Sequence, residues 1–112
     1  MPYLKFQTNK QVENEEDIIT KASKLVAREL EKSEEYVMVA VEPNVKMSFG
    51  GSFEPTVFIQ LKSIGLPESK TKQISAALSN LMEEELGIPN DHVYIEFTDV
   101  KRTFWGYNGS TF

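Results

Sequence analysis

A strand, a helix and a second strand follow one another twice in this chain at a constant shift of 56 residues, and this duplication constrains the fold most. Glu29-Leu30 leads through a short polar turn to Tyr36-Val37, and Glu85-Leu86 leads through a similar turn to His92-Val93. Tyr3 to Thr8 is strand-like and Asn9 to Asn14 is a polar loop. From Glu15 to Glu31 the apolar residues Ile18, Ala22, Leu25, Val26 and Leu30 fall at offsets of 4, 7, 8 and 12, one stripe along a helix. Tyr36 to Val41 is nearly all β-branched, aromatic or otherwise apolar and predicts a strand that Pro43 ends. After a loop with Gly50, Gly51 and Pro55, Thr56 to Ser63 predicts the third strand. Gly65 and Pro67 precede a second helix over Glu68 to Leu86, with its stripe at Ile74, Ala77, Leu78, Leu81 and Leu86. His92 to Thr98 is the fourth strand, and an aromatic, glycine-rich tail closes the chain.

Each half reads as a right-handed crossover joining two parallel strands. Two such units side by side make an α+β, ferredoxin-like β-α-β-β-α-β subunit, with a four-stranded mixed sheet and both helices on one face. With 112 residues there is one core and one domain, spanning 1–112. Nothing remains to cover the other sheet face, so burial of that face by oligomerisation is expected.

Composition removes whole classes of function. There is no cysteine, hence no disulfide, thiolate nucleophile or cysteine metal site. A net charge of −5 argues against nucleic acid or an anionic membrane as a partner. No basic segment followed by an apolar stretch opens the chain, and no apolar run reaches the roughly 20 residues of a membrane span. These points lead to the expectation of a cytoplasmic protein. No metal-ligand spacing and no phosphate-cradling glycine loop is present, so neither metal nor cofactor is expected. His92 stands alone at a strand start, which suits a structural or solvated role. Glu83-Glu84-Glu85 reads as a solvated helix face, and Asn108-Gly109-Ser110 fits a glycosylation sequon that has no secretion signal to go with it.

Pro2 is the residue with chemical potential. Initiator Met1 before proline is normally trimmed, which leaves a secondary amine at the head of the first strand. An α-amino group titrates near 7.7–8.0 in model peptides, and an apolar pocket or a nearby cation lowers that value. A base poised near neutral pH suits proton abstraction beside a carbonyl.

Four further blocks occur in order: Met47-Ser48-Phe49-Gly50-Gly51-Ser52, Glu54-Pro55, Ser63-Ile64-Gly65 and Asn108-Gly109-Ser110-Thr111-Phe112. Together with Pro2 the chain closely resembles the macrophage migration inhibitory factor family of the tautomerase superfamily, colinearly and over essentially its whole length. The resemblance implies a homotrimer whose sheets enclose a central channel. It implies cofactor-free keto–enol tautomerisation of aryl pyruvates and dopachrome-like substrates, with Pro2 as acid/base. By match of motif, Lys32 falls at the pocket lysine that holds a substrate carboxylate or enolate. Ser63 and Ile64 fall at the pocket wall, Tyr36 and Phe112 at aromatic wall positions, and Tyr94 at a tyrosine donated across the subunit interface. The implied partners are a small keto or enol substrate and sister subunits. The alternative is a cytokine-like interaction protein that binds a receptor, secreted without a signal peptide.

Three departures from the family pattern bear on activity. Glu96 stands where the best-known member has asparagine, and by strand alternation it shares a face with Tyr94. Its carboxylate there would repel an anionic keto acid and hold Pro2 protonated. Tyr107 stands where tryptophan is common, with Trp105 two residues earlier, so the aromatic rim is rearranged. Thr56 and Ile59 replace the Cys-x-x-Cys pair of some members, which rules out thiol–disulfide chemistry.

Overall fold

In the computed structural model, which describes residues 1–112, the duplication is a register. Strand β1 is Tyr3–Thr8, helix α1 Glu15–Leu30 and strand β2 Met38–Glu42; strand β3 is Val57–Ile64, helix α2 Thr71–Leu86 and strand β4 Val93–Val100. The second helix begins and ends 56 residues after the first. The sheet order is β2-β1-β3-β4, with β1/β2 and β3/β4 parallel and β1/β3 antiparallel at the centre. It is the mixed α+β sheet expected from two crossovers.

The predicted stripes are the buried faces of the helices. Ile18, Ala22, Leu25, Val26 and Leu30 of α1 and Ile74, Leu78, Leu81 and Leu86 of α2 are buried, with Ala77 packed against them. They meet Leu4 and Phe6 of β1 and Val57, Ile59 and Leu61 of β3, which alternate toward the helices. Phe6 lies at the centre of this layer and is 1 % exposed. At fixed protein concentration, Phe6→Ala lowers the unfolding free energy by about 3–5 kcal/mol, through lost transfer energy plus an unfilled cavity. Denaturant titration with an unchanged m-value checks this; a loss below about 1 kcal/mol would show that neighbouring side chains collapse into the hole.

Boundaries differ from the sequence expectation where local capping takes over. Residues 34–36 form a single 3-10 turn, because Ser33 Oγ accepts from the Glu35 N–H at 3.3 Å and the Ser33 carbonyl accepts from Tyr36 N–H at 3.1 Å. Tyr36 therefore precedes β2. A similar 3-10 turn at Glu68–Lys70 precedes α2. Helix α1 ends at Glu31 in the left-handed region (φ 53°), at the position 56 residues before Gly87, which caps α2 at φ 67°. The tail is a hairpin of β5 (Gly106–Tyr107) and β6 (Ser110–Thr111). Its turn residues Asn108 and Gly109 have φ of 52° and 77°, the double positive φ that a tight hairpin turn matching strand twist requires.

The sheet face away from the helices, for which burial by oligomerisation is expected from the sequence, is mostly polar. By register it carries Tyr3, Lys5 and Gln7 from β1, Met38, Ala40 and Glu42 from β2, Phe58, Gln60 and Lys62 from β3, and Tyr94, Glu96 and Thr98 from β4. Lys5 pairs with Glu42 at 3.1 Å, and Gln60 donates to Glu96 at 3.2 Å. So polar a face suits contact with water. The large exposed apolar groups sit at its edges, Met38 on β2 (66 % exposed) and Tyr94 on β4 (64 %).

Candidate functional site

Pro2 is buried at the head of β1, where its carbonyl accepts the Met38 N–H at 3.0 Å and so fixes where the β1/β2 ladder begins. Beside it opens a cavity of about 490 Å³ lined by Met1, Pro2, Tyr3, Glu35, Tyr36, Val37, Met38, Lys62, Trp105, Gly106 and Tyr107. Four separate segments build it: the start of β1, the 3-10 turn and first residues leading into β2, Lys62 near the end of β3, and the C-terminal tail around β5. The Phe112 N–H donates to the Trp105 carbonyl at 3.2 Å and closes the tail on itself. Tyr107 stacks on Phe112 with ring centroids 5.1 Å apart, and meets Tyr36 edge-on at 5.8 Å. An aromatic wall thus faces the first residue of the sheet.

The electrostatics of the cavity act on the chain's amine. Burial pushes the Met1 amine below its ordinary value, and the positive charges of Lys32 and then Arg102 push it the same way. Lys32 follows the left-handed cap of α1, and its N–H donates to the Ala27 carbonyl at 2.9 Å. Trimming of Met1 moves the terminal amine one residue further in, onto buried Pro2.

The residues expected at the site divide into groups. Pro2, Tyr36, Trp105 and Tyr107 lie together at the cavity; Phe112 backs Tyr107, and Lys32 acts on the amine through space. Ser63 does not present its side chain there. It is fully buried on the helix side of β3, because alternation turns Val57, Ile59, Leu61 and Ser63 inward together. Ile64 ends β3 on the opposite face and is half-buried. Tyr94 and Glu96 share a face as expected, but on edge strand β4 and away from the cavity of their own chain. Tyr94 instead meets Phe49 at 4.9 Å, and Phe49 also packs on His92 at 5.4 Å. Thr56, at one of the two positions of the absent cysteine pair, is structural: its hydroxyl donates to the His92 carbonyl at 2.7 Å.

Lys62 lines the cavity as well, where its cross-strand partner Tyr3 brings it. Glu35, which lines the cavity, and Arg102, whose charge acts on the amine, carry no sequence signal, since both lie in short 3-10 turns. A more open hollow of about 580 Å³ lies between Asn9 and the loop of residues 44–53, with Lys46 as its one ionisable lining residue, and so it offers no acid/base pair. No group of three or more His, Cys, Asp or Glu is placed to hold a metal ion, and no helix is long and apolar enough to cross a membrane.

Comparison with known proteins places this geometry. The sequence model of the family described as Macrophage migration inhibitory factor (MIF) matches residues 1–112. The chain is 41 % identical to a macrophage migration inhibitory factor homolog of Trichuris trichiura, over 100 % of both chains. It is 40 % identical to the homolog of Brugia malayi, over 100 % of this chain and 99 % of that one. A solved structure of a macrophage migration inhibitory factor homologue from Prochlorococcus marinus superposes with a TM-score of 0.94 at 38 % identity, covering 98 % of each chain. That from Trichinella spiralis gives 0.92 at 34 % identity, covering 98 % of this chain and 99 % of the other.

Proposed function

The chain belongs to the macrophage migration inhibitory factor family and has the fold of the tautomerase superfamily, and from that premise we propose that it is a cofactor-free keto–enol tautomerase of aryl pyruvates and dopachrome-like compounds. The observation that carries this reading is Pro2, buried at the mouth of an aromatic cavity in which burial and two cations depress the terminal amine. Once Met1 is removed, the free Pro2 nitrogen takes a proton from the carbon beside the keto group. The carbon–carbon double bond forms, the carbonyl oxygen becomes the enol oxygen, and the proton is returned there; the reverse order regenerates the ketone. Tyr36, Trp105 and Tyr107 supply the wall for an aryl ring, and the Lys32 ammonium stabilises the substrate carboxylate and the developing enolate. The test is an absorbance assay of phenylpyruvate enol–keto exchange on protein whose N-terminus is verified by mass. Absence of turnover by protein that begins at Pro2 overturns the reading.

Lys32→Ala separates two effects of the same charge. Losing a charge-assisted bond to the substrate costs about 1.5–3 kcal/mol, a ten- to hundredfold fall in kcat/KM. The cation also disfavours the protonated amine, so its removal raises the amine pKa. Catalysis by the free base rises as pH passes that pKa, so the rising limb of the pH–rate profile moves to higher pH. Unchanged kinetics would transfer the anion-binding role to Lys62.

A further inference from the structure

Asn108 and Gly109 stand side by side at the tip of the C-terminal hairpin. A backbone nitrogen can attack the side-chain amide of the asparagine before it. Three things oppose that attack: a hydrogen bond on the attacking N–H, a side chain on its own residue that crowds it, and partners that hold the asparagine amide away. Every other asparagine of the chain meets at least one of these obstacles. Asn9 is held at both ends, its Oδ1 accepting the Thr56 N–H at 3.0 Å and its Nδ2 donating to the Glu54 carbonyl at 3.0 Å. Asn14 donates to Glu85 at 3.3 Å, and Asn80, inside α2, donates to Glu84 at 3.2 Å. Asn44 precedes β-branched Val45, whose N–H is committed to the Thr8 carbonyl at 2.9 Å. Asn90 precedes Asp91 in the 3-10 turn before β4, where its carbonyl accepts the Val93 N–H. Asn108 meets none of the three. Its exposed side chain has no hydrogen-bond partner, and the Gly109 N–H donates to no carbonyl. Gly109 carries no Cβ, and the space where one would stand is open to 4 Å.

We infer that Asn108-Gly109 is a site of spontaneous deamidation that dismantles the aromatic wall of the Pro2 cavity as the protein ages. The Gly109 nitrogen attacks Asn108 Cγ, and the new C–N bond closes a five-membered imide. The Cγ–Nδ2 bond breaks, and ammonia leaves with the Gly109 amide proton. Water then opens the imide. Opening at Cγ leaves aspartate on the original backbone, whereas opening at the former peptide carbonyl leaves isoaspartate, whose backbone runs through Cγ. The attack requires Asn108 to leave its left-handed conformation (φ 52°), and the stem that holds it there is two residue pairs long, Tyr107 with Ser110 and Gly106 with Thr111. A two-stranded hairpin of this size is marginal, so its tip opens locally while the core stays folded. The effect reaches the cavity through Tyr107, which stacks on Phe112 at 5.1 Å and meets Tyr36 at 5.8 Å. Isoaspartate adds a backbone carbon to a turn whose geometry has no room for one, so the Tyr107–Ser110 pair is lost and Tyr107 leaves the wall. The modification stands whether or not the cavity is a tautomerase site; only the loss of turnover rests on that reading.

The test incubates the full chain and its Asn108→Gly variant at mildly alkaline pH, where the attacking nitrogen loses its proton most readily. Both are followed by peptide mass mapping, with enzymatic methylation to detect isoaspartate. Gly-Gly suits the same tight turn, so the variant keeps the hairpin and lacks the reacting amide. Asn108 is expected to exchange its amide for a carboxylate about tenfold faster than any other asparagine, with isoaspartate among the products. Fluorescence of Trp105, the chain's only tryptophan, shifts in step with isoaspartate in the unaltered protein and stays constant in the variant. Phenylpyruvate turnover by protein that begins at Pro2 falls in the same proportion. Deamidation of Asn108 no faster than that of Asn44 or Asn90 overturns the site. Isoaspartate that leaves Trp105 fluorescence and turnover unchanged overturns its effect on the wall. If freshly made protein turns over no phenylpyruvate, the tautomerase reading fails by itself, and the mass map and Trp105 fluorescence still decide this inference.

Discussion

Protein that retains Met1 folds like the trimmed protein and turns over phenylpyruvate about 10²–10⁴-fold more slowly, the span that a positioned acid/base contributes. The expectation follows from bond type. With Met1 in place the Pro2 nitrogen is an amide, its lone pair is delocalised into the carbonyl, and it has no usable basicity. The amine then belongs to Met1, and Met1 itself lines the cavity, where a ring would have to lie. Nothing in the core depends on this residue: the buried cluster begins at Leu4, and the Pro2 carbonyl that starts the β1/β2 ladder is present in both forms. Circular dichroism and native mass should therefore agree between the two forms while kcat/KM diverges. The pH profile adds a second discriminant, because the limb set by a free amine disappears when that amine is displaced from the reacting position. If Pro2 only begins a strand, the two forms have equal rates, and the family resemblance then concerns fold and interactions alone.

The fold was legible because its signals are periodic. Both stripes lie buried, and the 56-residue shift reappears in helix limits, in the left-handed caps at Glu31 and Gly87, and in the 3-10 turns before β2 and β4. The site was legible only in part, because turns assemble it. Asn108-Gly109 is a strong hairpin signal, yet as a sequon match it gives no hint that the tail folds back to place Trp105 and Tyr107 beside Pro2. Strand alternation alone would have separated Ser63 from Lys62: the first shares a parity with Leu61 and Ile59 and faces the core, the second faces out. The same parity count along all four strands gives Lys5, Glu42, Gln60 and Glu96 on one face, and so predicts a wet surface where counting layers alone leads to the expectation of burial. Arg102 is the exception. No spacing rule brings it to the amine, since an irregular turn sets its position.

Mixing two inactive proteins restores activity if the pocket is shared between subunits. Within one chain Tyr94 pairs with Phe58 near the start of β3, whereas Pro2 heads β1, beyond the Tyr3–Lys62 pair near the end of β3. From Phe58 to Ser63 is five residues, about 17 Å along the strand, before the sideways step across the sheet is added. Tyr94 therefore cannot serve the Pro2 of its own chain. It lies exposed on edge strand β4, while Met38 lies exposed on β2 at the opposite edge, an arrangement that a head-to-tail contact closing into a ring buries on both sides. Such a ring of three has a native mass near three times 12.8 kDa. In it, a chain with retained Met1 lacks the base but lends Tyr94, and a trimmed Tyr94→Ala chain keeps the base but lends nothing. Equal mixing after unfolding and reassembly puts a free Pro2 next to an intact Tyr94 in about a quarter of pockets, so about a quarter of the parental rate returns. Each protein alone stays well below that level. A mixture no more active than the mean of its components, or light scattering from a stable monomer at micromolar concentration, would confine the pocket to a single chain and remove Tyr94 and Glu96 from it.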